Sequence, residues 1–240
     1  MTRYFCQDHP DAFVVGTSVL AIEPGRVLLE RSPFFPGVGG QHTDRGTIAG
    51  VSGPPVPVRA VEVVEAGAWH TLDGASPSEG EIVEVRVDEC FRALQCELHT
   101  LAHIVNAVVF RAFDGALLTG AQLGEDETLR IDFDLPGIDN DRLRALEGPI
   151  NDDVAADHPV SASWMDWDEA EREPGLFRAK SATPPKGADG TVRIVQIGDL
   201  DRQACGGTHA ASTALCRPVE LRKIENKGRQ NRRVRVALRC

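Results

Sequence analysis

Residues 88–113 of the 240-residue chain read DECFRALQCELHTLAHIVNAVVFRAF, a stretch without glycine or proline. Apolar residues recur in it at intervals of three and four, at positions 91, 94, 98, 101, 105 and 108. This spacing predicts an amphipathic helix of about six or seven turns whose apolar stripe faces a core. His99 and His103 lie one turn apart beside the stripe, so the helix presents two imidazoles from one face.

The sequence changes character on either side of this helix. Before it, short β-rich runs separated by Gly, Pro and Asp clusters lie at 12–15, 26–29 and 81–87, a pattern typical of a small barrel or sandwich. After it, alternating segments predict strands, and two polar segments predict helices near 139–153 and 168–173. The strands are expected at 129–135, 160–164, 192–197, 219–222 and 233–238.

Composition indicates a soluble globular protein. The chain is 42% hydrophobic and 26% charged, and its apolar runs fall short of the roughly 18 residues that span a membrane. The first residues, MTRYFCQDHPDAF, lack the apolar region of a signal peptide. The six cysteines are few and widely scattered, unlike a disulfide framework. We therefore expect a cytoplasmic protein that does not bind a membrane.

Charge is concentrated at one end of the chain. The formal net charge is -10, yet the segment from Arg217 to Arg239 holds nine basic residues and two acidic ones, Glu220 and Glu225. That segment carries +7, so the remainder carries -17. Such a basic segment can form a phosphate-binding patch. Lysines and arginines on a solvated edge strand that resists aggregation explain the same pattern equally well.

A second motif, Cys205-Gly-Gly-Thr-His209, adds one thiol and a third imidazole to His99 and His103. The i, i+4 histidine pair alone is weak evidence for a metal, and a glycine turn can contain an incidental cysteine. Together the two motifs predict one metal site that joins distant segments. Mixed His/Cys ligands favour zinc. Both a closed structural site and a site with an open position fit the pattern.

A glycine-rich loop precedes the helix at 32–46, with the sequence SPFFPGVGGQHTDRG. Its exposed amides can cradle a phosphate or lie against a nucleotide. A tight connection between two strands would have the same composition. The remaining histidines (His9, His42, His70 and His158) lack partners at ligand spacing, and we expect them to be ordinary polar residues.

In the order of its motifs the chain resembles the freestanding alanyl-tRNA editing proteins, relatives of the editing domain of alanyl-tRNA synthetase. The resemblance rests on four segments: Phe34-Phe35-Pro36 leading to Gly39-Gly40-Gln41 and Asp44-x-Gly46, His99-Thr100-x-x-His103, Cys205-Gly-Gly-Thr-His209, and residues 224–233, IENKGRQNRR. The resemblance covers nearly the whole chain. Because a glycine-rich domain precedes the metal domain, the chain is most similar to the two-domain versions of the family. The resemblance implies an α+β fold, with a small β-barrel at 1–88 followed by an α+β metal-binding editing domain at 89–240.

The resemblance also implies an activity: hydrolysis of mischarged tRNA(Ala), chiefly Ser-tRNA(Ala) and also Gly-tRNA(Ala), with one zinc ion per chain and no nucleotide cofactor. By the same resemblance the metal ligands are His99, His103, Cys205 and His209. Whether the zinc activates a water molecule or only positions the substrate stays open, and no catalytic residue is assigned.

Other roles follow from the same resemblance. Gly39, Gly40 and Gln41 would border the substrate pocket. Ser32 stands where a threonine of the family is thought to recognise the serine hydroxyl, and Val38 replaces a small residue of the loop. In the basic segment, the residues expected to contact the acceptor stem are Lys227, Arg229, Arg232 and Arg233.

Two rival functions remain. A deacylase of another mischarged tRNA, such as Ser-tRNA(Thr), is the nearest, because editing domains of threonyl-tRNA synthetase are similar to this metal unit. The other rival is a non-catalytic tRNA-binding protein with structural zinc.

Overall fold

The computed structural model describes residues 3–51, 53–180, 184 and 186–239. The chain forms two compact units. The first comprises Met1–Val38 and His42–Ala93, and the second comprises Gly39–Gln41 and Leu94–Cys240. The division into domains at residue 88 stays a prediction.

The first unit is built on six antiparallel strands. Its elements are α1 (Phe5–Asp8), β1 (Val14–Glu23), β2 (Arg26–Leu29), β3 (Gly46–Ala49), β4 (Val56–Val64), β5 (Gly67–Leu72) and β6 (Ile82–Val87). The strands close into a barrel in the order β1-β2-β5-β4-β3-β6. This confirms the barrel among the two β architectures that the short strands predicted.

Alternation of side chains builds the barrel core. In β6, Val83, Val85 and Val87 are buried and the residues between them are exposed. The three valines share one core with Leu29 and Phe34. Burial of each such side chain contributes about 1.5–3 kcal/mol. The period of two, visible in the sequence, is therefore what closes the barrel around its apolar face.

The second unit is mixed α and β. Its elements are α2 (Glu89–Ala112, from Leu94 onward), β7 (Leu118–Leu123), β8 (Thr128–Asp134), α3 (Asn140–Arg144), α4 (Glu147–Ala155), β9 (Val160–Asp166), α5 (Trp167–Arg172), β10 (Thr191–Ile197), β11 (Asp201–Ala204), β12 (Val219–Lys227) and β13 (Asn231–Leu238). The strands form two antiparallel sheets, ordered β12-β13-β8-β7 and β11-β10-β9.

The α2 helix confirms the prediction made from its spacing. Asp88 caps it, since its side chain accepts a hydrogen bond from the Phe91 amide at 3.0 Å. Leu98, Leu101 and Ile104 are fully buried in one core with the four-stranded sheet. The helix is long and apolar enough to span a membrane by length and composition alone. However, 78% of its most apolar window is buried inside the protein, as in a core helix.

The polar helix predicted over 139–153 is in fact two helices, α3 and α4, so that prediction was wrong in its continuity. The reason is Pro149, which has no amide hydrogen and is tolerated only in the first turn of a helix. A new helix beginning at Glu147 places Pro149 in such a first turn. The break lies at Leu146, whose amide bonds to the Leu143 carbonyl at 3.1 Å in a tighter turn.

Candidate metal centre

Four side chains singled out by the sequence converge within the second unit. His99 and His103 project from α2, Cys205 directly follows β11, and His209 lies four residues further on. Their possible ligand atoms all lie within 4.8 Å of one another. The Cys205 Sγ atom is 3.4 Å from His99 Nε2 and 3.7 Å from His209 Nε2. Both halves of the split motif therefore meet at one point.

These separations fit a tetrahedral zinc ion. Zinc lies about 2.3 Å from a sulfur ligand and about 2.0–2.1 Å from a nitrogen ligand, which places sulfur and nitrogen roughly 3.5 Å apart at the tetrahedral angle. The observed separations of 3.4 and 3.7 Å bracket that value. One thiolate with three imidazoles is also a donor set that suits zinc better than hard cations.

Hydrogen bonds fix the orientation of two imidazoles. His99 Nδ1 lies 2.9 Å from Gln41 Oε1, and His103 Nδ1 lies 2.9 Å from Asp201 Oδ2. Both partners are oxygens that only accept, so each Nδ1 carries a hydrogen, which leaves each Nε2 as the nitrogen that can bind a metal ion in place of a proton. His209 Nδ1 has no hydrogen-bond partner among the described residues.

The carboxylate of Asp201 is itself held in place. Arg178 donates to its Oδ1 at 2.7 Å, and Gln203 donates to its Oδ2 at 2.7 Å. The Arg178 guanidinium also lies over the ring of Phe110, 4.4 Å from its centroid. Burial raises the pKa of Asp201, but His103 and Arg178 outweigh burial and the pKa is lowered. Asp201 is therefore an ionised acceptor for His103.

The electrostatics of the cluster favour a cation at its centre. Burial raises the pKa of Cys205, but the three imidazoles outweigh it and hold the pKa well below its usual range. Burial lowers the pKa of His103, whereas Cys205 and Asp201 raise it to about 10. Burial, with His99 nearby, lowers the pKa of His209 to about 3. A bound metal ion would take the place of the proton that the thiolate and the carboxylate attract to His103.

The turn that carries Cys205 and His209 needs a glycine at 207. A Cβ atom there would overlap the His99 ring and approach the Gln41 amide. Arg193 steadies the turn by donating to the carbonyl of Gly207 at 2.9 Å and to that of Cys205 at 3.2 Å. Gly207 therefore allows the turn to approach α2 closely.

The segment Gly39–Gln41 lies against β7. The Leu123 amide donates to the Gly40 carbonyl at 2.8 Å, and a Cβ on Gly40 would overlap the Ala121 carbonyl. Gly40 also has a φ of 91°, which favours glycine. Gln41 is buried, and its amide bonds to Thr208 as well as to His99. The structure thus places Gln41 behind a candidate ligand, while its contact with substrate stays a prediction.

Ser32 belongs to the barrel unit, where it is 7% exposed. Its Oγ atom lies 2.7 Å from His70 Nε2 and accepts from the Phe34 amide at 3.2 Å. His70 is fully buried, and burial lowers its pKa to about 4 despite a bond to the Ala68 carbonyl. The neutral His70 therefore accepts a hydrogen bond from the Ser32 hydroxyl. The expected contact of Ser32 with a substrate hydroxyl stays a prediction.

The four basic residues expected to bind tRNA differ in their surroundings. Lys227 and Arg229 are exposed at the turn between β12 and β13. Arg232 is 6% exposed and donates to the Ile138 carbonyl at 3.3 Å. Arg233 forms a two-pronged ion pair with Asp132, with both N–O distances at 2.7 Å. Two of the four therefore already make contacts within the protein.

The residues behind the candidate ligands were harder to predict from sequence than the candidate ligands themselves. Asp201 and Gln203 alternate along β11 and so share the face toward His103, but a four-residue strand is too short to show its period. Cys96, on the same helix as His99 and His103, is half-buried, and its Sγ atom lies 3.2 Å from Thr208 Oγ1. None of the five cysteines among the described residues forms a disulfide.

The unit that contains this candidate metal centre has a counterpart among the enzymes that charge tRNA. Residues 192–235, which include Cys205 and His209, match the family described as "Threonyl and Alanyl tRNA synthetase second additional domain". The chain is also 33% identical over 221 residues to an alanine–tRNA ligase of Nitrosopumilus maritimus, covering 92% of this chain and 23% of the ligase. It therefore spans about a quarter of the length of such ligases.

Two further relatives match along most of their own length. The "Alanyl-tRNA editing protein AlaX-M" of Methanosarcina barkeri is 33% identical over 220 residues, 88% of each chain. The protein of the same description from Saccharolobus solfataricus is 32% identical over 218 residues, 90% of each chain. The chain belongs to this family of freestanding alanyl-tRNA editing proteins, related to alanyl-tRNA synthetase.

Proposed function

We propose that the protein hydrolyses the ester bond of mischarged tRNA(Ala), chiefly Ser-tRNA(Ala) and also Gly-tRNA(Ala), at a zinc ion held by His99, His103, Cys205 and His209. The observation that carries the proposal is the convergence of these four ligand atoms within 4.8 Å. Membership of the editing family supports the substrate class. We further propose one zinc per chain, no nucleotide cofactor and a cytoplasmic location.

The reaction asks little of the protein beyond position and charge. An aminoacyl ester is already activated, so a placed water molecule and stabilisation of the developing oxyanion suffice. When bound, zinc supplies a Lewis acid that polarises the ester carbonyl or orients the amine and ribose of the substrate. Gln41 and Asp201 hold His99 and His103 in the required tautomer. Cys205 is held as a thiolate, the form that binds zinc, and a thiolate bound to zinc would be a poor free nucleophile.

Ser32 is proposed to recognise the amino acid. Its hydroxyl donates a hydrogen bond to His70, and one lone pair of Oγ accepts a hydrogen bond from the Phe34 amide. The remaining lone pair can accept from a hydroxyl donor such as the side chain of serine. Lys227 and Arg229, both exposed, are proposed to contact the acceptor stem. Arg232 and Arg233 are proposed to help tRNA binding only indirectly, by supporting the surface around Lys227 and Arg229.

The discriminating experiment presents four substrates, Ser-tRNA(Ala), Gly-tRNA(Ala), Ala-tRNA(Ala) and Ser-tRNA(Thr), to the protein and to His103→Ala. We expect release of serine from tRNA(Ala) by the wild type, loss of that activity in the variant, and little attack on Ala-tRNA(Ala). Preference for Ser-tRNA(Thr) would support the nearest rival. Binding of tRNA with zinc present but without turnover would support the non-catalytic alternative.

A further inference from the structure

A cavity of about 360 Å³ lies in the second unit, at the four-stranded sheet β12-β13-β8-β7. Its lining includes three arginines, Arg130 on β8, Arg222 on β12 and Arg235 on β13, together with Gln122 on β7. The volume lies within the roughly 300–1,000 Å³ typical of ligand sites. One carboxylate, Asp126, also lines the cavity, so the lining has three positive side chains and one negative one.

The strand register brings the cationic side chains together. Arg130 pairs directly with Arg235 across β8 and β13. Arg222 lies at the irregularity of β12, next to Lys223, which pairs with Arg235 from the other side. Like charges directly opposite each other on a sheet are destabilising. This arrangement therefore favours an anion between the arginines.

Arg222 has a carboxylate of its own, Glu220 at 3.5 Å, whereas the carboxylates beside Arg130 and Arg235 are shared with other cations. Arg130 Nε lies 3.9 Å from Asp132 and has no hydrogen-bond partner among the described residues. Both oxygens of Asp132 already accept from Arg233, at 2.7 Å each. Arg235 shares Glu225 with Lys223, at 2.9 and 3.1 Å. Arg130 therefore lacks a counter-ion of its own at the edge of the cavity.

The cavity is joined to the metal centre by a short series of contacts. Gln122, in the cavity lining, donates to the Gly40 carbonyl at 3.3 Å. The next residue, Gln41, holds His99 at 2.9 Å. A ligand in the cavity would therefore contact β7. This strand supports Gly40 and Gln41, and Gln41 in turn holds the candidate zinc ligand His99.

We propose that this cavity binds a phosphodiester group of the RNA substrate, through Arg130, Arg222 and Arg235. The planar guanidinium matches phosphate with two parallel hydrogen bonds, and it keeps its charge at any physiological pH. The proposal rests on the proposed function, because the RNA is the tRNA whose aminoacylated end reaches the metal centre. It adds an anchoring site distinct from the exposed turn at Lys227 and Arg229.

The test measures the dissociation constant of uncharged tRNA by filter binding across a range of salt concentrations. The variants are Arg130→Gln and the double change Arg130→Gln/Arg235→Gln. The matched control is Arg144→Gln, which removes the same charge from an exposed position on α3 outside the cavity lining. Circular dichroism and zinc content verify that each variant folds.

Loss of one phosphate contact lowers the log–log salt slope by about 0.7–0.9, which at 0.15 M salt corresponds to roughly four- to six-fold weaker binding. We expect the dissociation constant to rise by that factor for Arg130→Gln and by about the square of that factor for the double variant. For Arg144→Gln we expect a rise of less than about twofold. Unchanged binding in the folded double variant would overturn the proposal. A loss in Arg144→Gln as large as in Arg130→Gln would also overturn it, since binding would then depend only on overall charge.

Single-turnover deacylation separates this proposal from the proposed function. With saturating protein, the double variant should release serine at the wild-type rate, while the protein concentration for half-saturation rises about as much as the dissociation constant. A wild type that binds tRNA through the arginines but releases no serine leaves the phosphate site standing and refutes the activity. A wild type that releases serine with no dependence of binding on the arginines refutes the phosphate site alone.

Discussion

The Asp201→Asn substitution gives the sharpest test of how the metal centre is built. The two carboxylate oxygens of Asp201 accept from three donors: His103 at 2.9 Å, Gln203 at 2.7 Å and Arg178 at 2.7 Å. Asparagine offers one accepting oxygen and one donating nitrogen. If its oxygen faces His103, its NH₂ faces the Arg178 guanidinium. If it is reversed, His103 Nδ1 meets a donor and the wrong tautomer is favoured.

Either orientation weakens the hold on His103 without removing a candidate ligand. Loss of such an outer partner costs about 10- to 100-fold in metal affinity, which corresponds to roughly 1.4–2.7 kcal/mol. We therefore expect the zinc dissociation constant of Asp201→Asn to rise by that factor. Competition with a fluorescent zinc chelator measures it directly, independently of catalysis.

Asp199→Asn is the matched control, because Asp199 is exposed and the same charge is removed two residues away. It should bind zinc like the wild type. Chemical denaturation of both variants with zinc removed separates loss of fold from loss of metal. A dissociation constant for folded Asp201→Asn within about twofold of the wild type would refute the assignment of Asp201 as the residue that orients His103.

Three further predictions concern the surroundings of the site and the barrel. Gly207→Ala should reduce zinc content as measured by metal analysis, because its Cβ would overlap His99, whereas Gly148→Ala, at a position with nothing within 4 Å, should retain full zinc. Arg92→Met should lower the free energy of unfolding in urea by about 3–5 kcal/mol, because it leaves the fully buried Asp44 carboxylate without its cationic partner. If the unpaired carboxylate is the cause, the double variant Arg92→Met/Asp44→Asn should lose less stability than Arg92→Met. A larger loss in the double variant would contradict that cause. The folded-state pKa of His70, about 4, lies below the ordinary value of 6.5. Neutral His70 therefore makes its full contribution to the free energy of unfolding above pH 6.5, and the contribution is lost as pH falls toward 4. That loss amounts to about 3 kcal/mol and should be absent from the pH dependence of unfolding in His70→Gln; identical pH profiles would contradict it.

The parts of the fold that follow from local pattern were predictable. The three- and four-residue spacing over 88–113 predicted α2, because a helix needs one continuous apolar face and the run has no glycine or proline. Period-two alternation predicted β6 and β13 in the same way. In contrast, β7 contains Gly120 and Ala121, which have little strand preference, and pairing with β8 decides its conformation.

The site was predictable only in its ligands. The motifs supply His99, His103, Cys205 and His209 because ligand pairs are local in sequence, and the structure brings them within 4.8 Å. Their outer partners come from other segments, Gln41 from the glycine loop and Asp201 from β11. The glycine loop marked Gln41 only as a residue of the substrate pocket, and no local pattern marks either residue as the partner of a histidine.

The basic segment shows a different limit of the sequence. The net charge of the segment from Arg217 to Arg239 does not show that β13 has one buried and one exposed face. Alternation places Arg232 on the buried side with Val234 and Val236, and places Arg233 and Arg235 on the other side. A position-by-position reading of the strand would have marked Arg232 as buried.

The central claim is that zinc in this cluster is required to remove serine from tRNA(Ala) while correctly charged tRNA is spared. The most direct measurement compares single-turnover deacylation of Ser-tRNA(Ala) and Ala-tRNA(Ala) by the protein as purified, after zinc removal by chelation, and after return of one equivalent of zinc. We predict rapid release of serine that disappears with the metal and returns with it, and slow release of alanine throughout. Release of serine that persists unchanged after verified removal of zinc, or equal release of alanine, would contradict the account.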